Sequence, residues 1–172
     1  MSHSDSAYVI QPSHTVCYVV RMVNGVSEYL LMHRCGEYLN GNWQMVTGSI
    51  HKGETAWQAA LRELAEETGL TPLEFYTVDQ VESFYEFTMD KILFGPIFLA
   101  IVDPVQPVRL SPQEHDSYLW KPLPEAIEYL QFANQRRIIR YIEERYIFQK
   151  PDPFFKIPIQ AGESNLRFAK ND

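Results

Sequence analysis

Glu63, Glu66 and Glu67, preceded by Arg62, have the spacing that places side chains on one face of a helix. At 100° per residue the three carboxylates span an arc of about 100°. Two carboxylates about 5.5 Å apart repel by roughly 3 kcal/mol at an effective dielectric near 20, but by only a few tenths when exposed. The spacing alone therefore fits either a solvated acidic face or a cradle for a hard divalent cation, which prefers carboxylate oxygen. Farther along, Glu114-His115-Asp116 offers a second acidic group. His115 there reads as a hydrogen-bonding or surface histidine rather than a ligand, because oxygen suits such a cation better. Arg34 could clamp a phosphate through its bidentate fork or simply end a strand at the surface. Trp43, Phe84 and Tyr85 could stack on a base or fill the core.

The elements that must position these groups are legible from punctuation and periodicity. Thr55-Ala-Trp-Gln58 is a capping box, and Gly69-Leu70 is a stop of the Schellman type, so the pattern predicts a helix over residues 56–68. Trp57, Leu61, Leu64 and Thr68 lie roughly 100° to 160° from Glu63 and predict a buried stripe beside the acidic face but distinct from it. Ala56 and Ala59 extend the acidic stripe toward the helix N-terminus, where missing side chains would leave room for a phosphate. Upstream, Asn24-Gly25 predicts a hairpin between strands His14–Val23 and Ser27–Arg34. The first strand is apolar on both faces, which predicts an interior strand covered by helices on both sides.

If Val23 pairs with Val26, Cys17 lies opposite Met32 and Cys35 opposite His14, so no disulfide is expected. A loop over Cys35–Asn42 precedes a short strand, Trp43–Thr47, and a turn-rich stretch, Gly48–Gly53. Strands are predicted at Phe75–Phe87 and Ile92–Asp103, joined by a turn at Thr88–Lys91. A Pro-rich loop follows, then a short strand at Tyr118–Lys121 and helices at Pro124–Phe132 and Asn134–Ile147. Prolines 151, 153 and 158 forbid a continued helix, and Phe154, Phe155 and Ile157 suggest that the tail docks.

Gly48, Glu54, Arg62-Glu63-Leu64, Glu66-Glu67 and Gly69-Leu70 together match the box of the Nudix hydrolases at every constrained position. A chance match is on the order of one in ten million. The resemblance implies an α/β fold, a Nudix-type α/β/α sandwich around a mixed β-sheet. It divides the chain into a lead-in (1–13), a Nudix domain (14–147) and a Pro-containing tail (148–172). It also implies hydrolysis of a nucleoside diphosphate linked to another group, with magnesium, or manganese, held by Glu63 and Glu67, Glu66 close by, and the carbonyl of Thr47 or Gly48 joining. Arg62 would orient a glutamate, Glu54 would anchor the loop to the helix, and Gly48 and Gly69 serve the motif. Within the family, Trp43–Ser49 and Glu114-His115 resemble the branch acting on dATP and dihydroneopterin triphosphate, which implies a metal-ligand or general-base role for Glu114. Arg34, Trp43 and Tyr85 are the candidates for substrate binding.

Composition agrees with a single enzyme-sized domain: 172 residues, 45% hydrophobic, 13% aromatic. A net charge of -7 argues against long nucleic acid and against an anionic membrane, and an anionic substrate would then need a cation beside it. No apolar run is long enough to span a bilayer, and the N-terminus lacks a basic region followed by an apolar one, so a cytoplasmic setting is expected. The expected partner is a small-molecule nucleoside polyphosphate, with a homodimer as an option. The leading activity is release of pyrophosphate from a nucleoside or pterin triphosphate. A dinucleoside polyphosphate hydrolase is the alternative; a tyrosine sixteen to eighteen residues past the box tends to mark that branch, and Tyr85 lies fifteen past it. An ADP-ribose or nucleotide-sugar diphosphatase and a non-catalytic regulatory domain are weaker readings: the marker proline of the first is missing, and the second generally loses box carboxylates that are all retained here.

Overall fold

Asn24 and Gly25 both take positive φ, 51° and 80°, as the tight turn of a two-residue hairpin requires. The structure, a computed structural model, describes residues 10–37 and 39–159. The rest of the lead-in and tail, residues 1–9 and 160–172, lies outside the described residues. Strands β1 (His14–Val23) and β2 (Val26–Arg34) pair in the expected register from Val23↔Val26 to Val20↔Tyr29. There they separate. The predicted strand Trp43–Thr47 wedges between them as two short pieces: β3 (Trp43–Gln44) pairs with β2, and β4 (Val46–Ser49) pairs with β1. Cys17 consequently faces Val46 rather than Met32, and His14 faces Ser49 rather than Cys35. Extrapolating the hairpin register past Val20 was wrong because local turn chemistry fixes only the first few pairs. Both cysteines are free.

Helix α1 (Ala56–Thr68) follows. Strands β5 (Pro72–Glu86) and β6 (Lys91–Val102) form a long antiparallel hairpin, and β6 runs parallel to β1. Strand β7 (His115–Pro122) begins three residues earlier than predicted and lies along β2. The main path is β3-β2-β1-β6-β5, with β4 on β1 and β7 on β2, a mixed sheet. Helices α2 (Leu123–Tyr129) and α3 (Ala133–Ile142) cover one face and α1 the other. The double apolar character of β1 is thereby explained. Val16, Tyr18 and Val20 enter the core under α2 and α3, while Cys17 and Val19 enter the core under α1.

The last predicted helix changes type at Glu143, where Glu143–Phe148 continue α3 as a π-helix. Glu143 and Tyr146 are both buried in this segment. The buried Glu143 carboxylate accepts from the Ser27 hydroxyl at 2.7 Å and the Tyr29 hydroxyl at 2.7 Å. The tail then docks on β5: Phe155 packs against Tyr146, and the Ile157 amide donates to the Phe75 carbonyl at 2.8 Å. Phe154 does not dock and remains exposed.

Candidate active site

Helix α1 is capped as its sequence dictates. The Thr55 hydroxyl accepts from the Gln58 amide, and the Gln58 side chain accepts from the Thr55 amide at 3.0 Å. At the far end Gly69 adopts φ 69° and its amide donates to the Ala65 carbonyl. The Leu70 amide goes to the Thr68 hydroxyl, so the stop is an αL cap rather than the expected Schellman pair.

The buried arc of α1 is rotated from the one predicted. Ala59, Ala60, Glu63, Leu64, Glu67 and Thr68 are buried, whereas Trp57 and Leu61 are only half-buried. Glu63 and Glu67 are thus turned into the protein, while Glu66 stays exposed. Small residues permit this. Ala59 packs with no exposure, so the room expected there for a phosphate is filled. Gly48 of β4 lies so close to α1 that a Cβ on it would fall 2.0 Å from the Glu63 carboxyl carbon. Only glycine lets Glu63 cross the strand end.

Arg62 organises the rim. Its Nε donates to Glu54 at 2.9 Å, one terminal nitrogen to Glu63 at 2.7 Å and Glu66 at 3.0 Å, and the other to the Ser49 carbonyl at 2.9 Å and to Glu54 at 3.1 Å. Glu54 also accepts from the His51 amide, which ties the Gly48–Gly53 turn to the helix. The Arg62 guanidinium holds the Glu54 carboxyl below its ordinary range. Glu66 points to solvent and is held by Arg62. Glu63 is pushed upward by burial, against the opposing pull of Arg62.

Glu67 is the anomaly. It is 1% exposed, and neither carboxylate oxygen has a hydrogen-bond partner among the described residues. Burial, reinforced by the negative fields of Glu114 and then Glu63, pushes it up to about 9, and Arg34 and then the approaching Thr47 backbone amide oppose this. Glu114 is brought near by the Pro-rich loop, which staples itself to the end of α1: the Arg109 amide donates to the Thr68 carbonyl at 2.7 Å and the Ser111 amide to the Glu67 carbonyl at 3.1 Å. Glu114, Glu63 and Arg34 thus lie near enough for their charges to act on Glu67, with Gly48 against Glu63 and Arg62 bridging Glu63 to Glu66. Among the described residues no three acidic or histidine groups already converge at metal-holding distance. A buried carboxylate with two orphan oxygens nevertheless fits a cation, since an unpaired buried anion is otherwise strongly disfavoured.

Trp43 packs against His33 and Tyr129 in the α2 layer, ring centroids 5.0 and 5.4 Å apart. Tyr85 is 60% exposed on the β5–β6 hairpin, its hydroxyl bonded to Asp90. Phe84 sits edge-on to His14. His115 is fully buried rather than at the surface, and its ring meets Gln44 at 3.5 Å. Burial and then Arg34 press it down to about 4, so it stays neutral near pH 7. The buried Gln44, which also donates to Thr47, was missed by sequence reasoning, although it lies inside the Trp43–Ser49 run.

A mixed sheet thus lies between helical layers, with a glutamate-bearing helix pressed on a glycine of the sheet. The NUDIX domain model matches residues 12–142, and the chain belongs to the Nudix family. It is 30% identical over 134 residues to a bis(5'-nucleosyl)-tetraphosphatase [asymmetrical] of Caenorhabditis elegans, covering 77% of this chain and 93% of that protein. It is also 34% identical over 130 residues to a Myxococcus xanthus octanoyltransferase, covering 75% of this chain but only 36% of that longer protein. In structure it resembles a C. elegans Ap4A hydrolase binary complex, with a TM-score of 0.65 and 26% identity over 79% of this chain and 96% of that one. The chain is a Nudix hydrolase domain of the pyrophosphohydrolase kind.

Proposed function

We propose that this chain hydrolyses a phosphoanhydride bond in a small nucleoside polyphosphate, with magnesium or manganese bound by Glu63, Glu67 and Glu114, Glu66 at the solvent side and the Gly48 carbonyl available. The buried carboxylate of Glu67, which no donor meets in full hydrogen-bond geometry, carries this reading, because burial disfavours its charge and a cation beside it would offset that. Such an ion shields phosphate charge and acidifies the attacking water. Arg62 holds Glu63 and Glu66 in place, and Arg34 clamps a phosphate. Glu114 takes the proton of the attacking water as its oxygen bonds to phosphorus, and the bridging P–O bond breaks toward the departing phosphate.

A dinucleoside tetraphosphate cut asymmetrically is the substrate class favoured by similarity to the C. elegans hydrolase across nearly its whole length. The second reading is a nucleoside or pterin triphosphate, as in the dATP and dihydroneopterin triphosphate branch, with release of pyrophosphate. It is supported by the meeting of the two runs that carry that likeness, Gln44 against His115. The free cysteines support action in a reducing, cytoplasmic compartment, and no described helix is long and apolar enough to cross a membrane.

Product analysis with magnesium over diadenosine tetraphosphate, dATP, other nucleoside triphosphates, dihydroneopterin triphosphate and ADP-ribose decides between them. A mononucleotide plus a nucleoside triphosphate supports the first reading and pyrophosphate the second. Binding without turnover by the wild type would overturn both.

A further inference from the structure

Gln44 ends β3 and is 5% exposed. Glutamine is mostly a surface residue, and a carboxamide taken out of water is costly unless its polar atoms are met. The Gln44 Nε2 lies 3.4 Å from the Thr47 hydroxyl and 3.5 Å from His115 Nε2. One NH2 carries two protons, so a single group serves both contacts when the histidine nitrogen accepts.

These two neighbours stand on different sides of the acidic centre. Thr47 belongs to the segment whose backbone amide approaches Glu67 and whose Gly48 lies against Glu63. His115 directly follows Glu114, whose charge acts on Glu67. The backbone there is tied down: the Cys35 amide donates to the Glu114 carbonyl at 2.9 Å, and the Glu114 and His115 amides donate to the Ser111 carbonyl at 3.2 and 3.0 Å. The His115 ring is 1% exposed, so in a close-packed interior it cannot shift without carrying Glu114 with it. Sheet pairing does not join the two segments, since β4 pairs with β1 and β7 with β2. The β2–β7 register also slips between His33 and Arg34, beside the Arg34↔His115 pair, so the ladder alone does not fix where Glu114 stands.

We infer that Gln44 is a positioning residue for the hydrolytic site: by holding Thr47 and His115 with one carboxamide it sets the separation between the Thr47–Gly48 backbone and Glu114. This rests on the reading of Glu63, Glu67 and Glu114 as metal ligands. Magnesium demands near-ideal octahedral spacing, so a wider separation weakens its binding, and partners that orient ligands typically change metal affinity about 10- to 100-fold.

Titration calorimetry of manganese into the substrate-free protein, beside magnesium-dependent kinetics, tests this. Gln44→Met keeps the length of the side chain and removes its polar end. It is expected to weaken manganese about tenfold and to raise the magnesium needed for half-maximal rate by a similar factor, with the nucleotide KM held within about twofold. His115→Leu should do the same, whereas His115→Gln, which returns an amide near the place of the ring Nε2, should recover most of the affinity. That pair carries the test if melting in EDTA shows that Gln44→Met does not fold. Unchanged affinity in Gln44→Met, or equal loss in His115→Leu and His115→Gln, would overturn the positioning role. Glu114→Gln separates this from the ligand assignment. If it keeps wild-type manganese affinity and turnover, the assignment fails and the inference with it; if it lowers both while Gln44→Met does not, the positioning role alone fails.

Discussion

In the proposed site Glu67 is the side chain whose environment most opposes its charge. Removing that charge should cost function and not fold. Glu67→Gln is expected to lower turnover by roughly a thousand-fold or more while matching or exceeding wild-type thermal stability, measured by steady-state kinetics and calorimetry. Its titration links stability to pH. The free carboxyl has an ordinary value of 4.5, and the folded one is raised to about 9. The folded protein holds a proton that the unfolded chain releases, so this stabilising contribution is whole below about 4.5 and is lost as pH rises through about 9. Metal-free protein should therefore lose melting temperature across that window, and magnesium should restore more of it at pH 8 than at pH 6. Gly48 is the second residue whose chemistry is decided by contact. Gly48→Ala places a methyl 2.0 Å from the Glu63 carboxyl carbon, so Glu63 must move, and activity should fall at least about tenfold with a raised magnesium requirement.

At the scale of elements, α1 was the most legible part of the chain because its signals are local. The Thr55–Gln58 box and Gly69 set its limits, and the structure keeps both. Gly69→Ala should cost about 1 kcal/mol of stability through its αL conformation, with crowding from Arg109 Cβ at 3.3 Å adding to it; denaturant titration reads this directly. The rotation of α1 was not legible. Whether Leu61 or Glu63 faces the sheet depends on how closely Ala59, Ala60 and Gly48 let the two surfaces approach, and helical periodicity does not report that distance. The same holds for Trp43–Thr47, which reads as one strand and falls in two, since its role depends on where β1 and β2 separate. Arg62 is the element's fastener. Arg62→Lys keeps the charge but loses the fork that joins Glu54, Glu63 and the Ser49 carbonyl. It should reduce kcat more than stability, as shown by kinetics beside a melting curve.

Across the whole molecule, the negative net charge and the inward acidic helix make a divalent cation a structural as well as a chemical partner. EDTA should abolish hydrolysis, and calcium should stabilise the fold yet support turnover poorly, because its looser coordination positions water less well. Full activity in EDTA would contradict the site. The sequence by itself determined the family, the helix with its caps, the hairpin turn, the two-faced β1 and the identity of the box carboxylates, because these depend on residue type at short spacing. Only the tertiary structure decided which carboxylates are buried, that the charges of Glu114 and Arg34 act on Glu67, that His115 and Gln44 meet inside, and that Trp43 packs on Tyr129 while Tyr85 stands exposed on the β5–β6 hairpin. Those facts depend on contacts between residues far apart in the chain, where burial and sheet order rather than local preference select the neighbour.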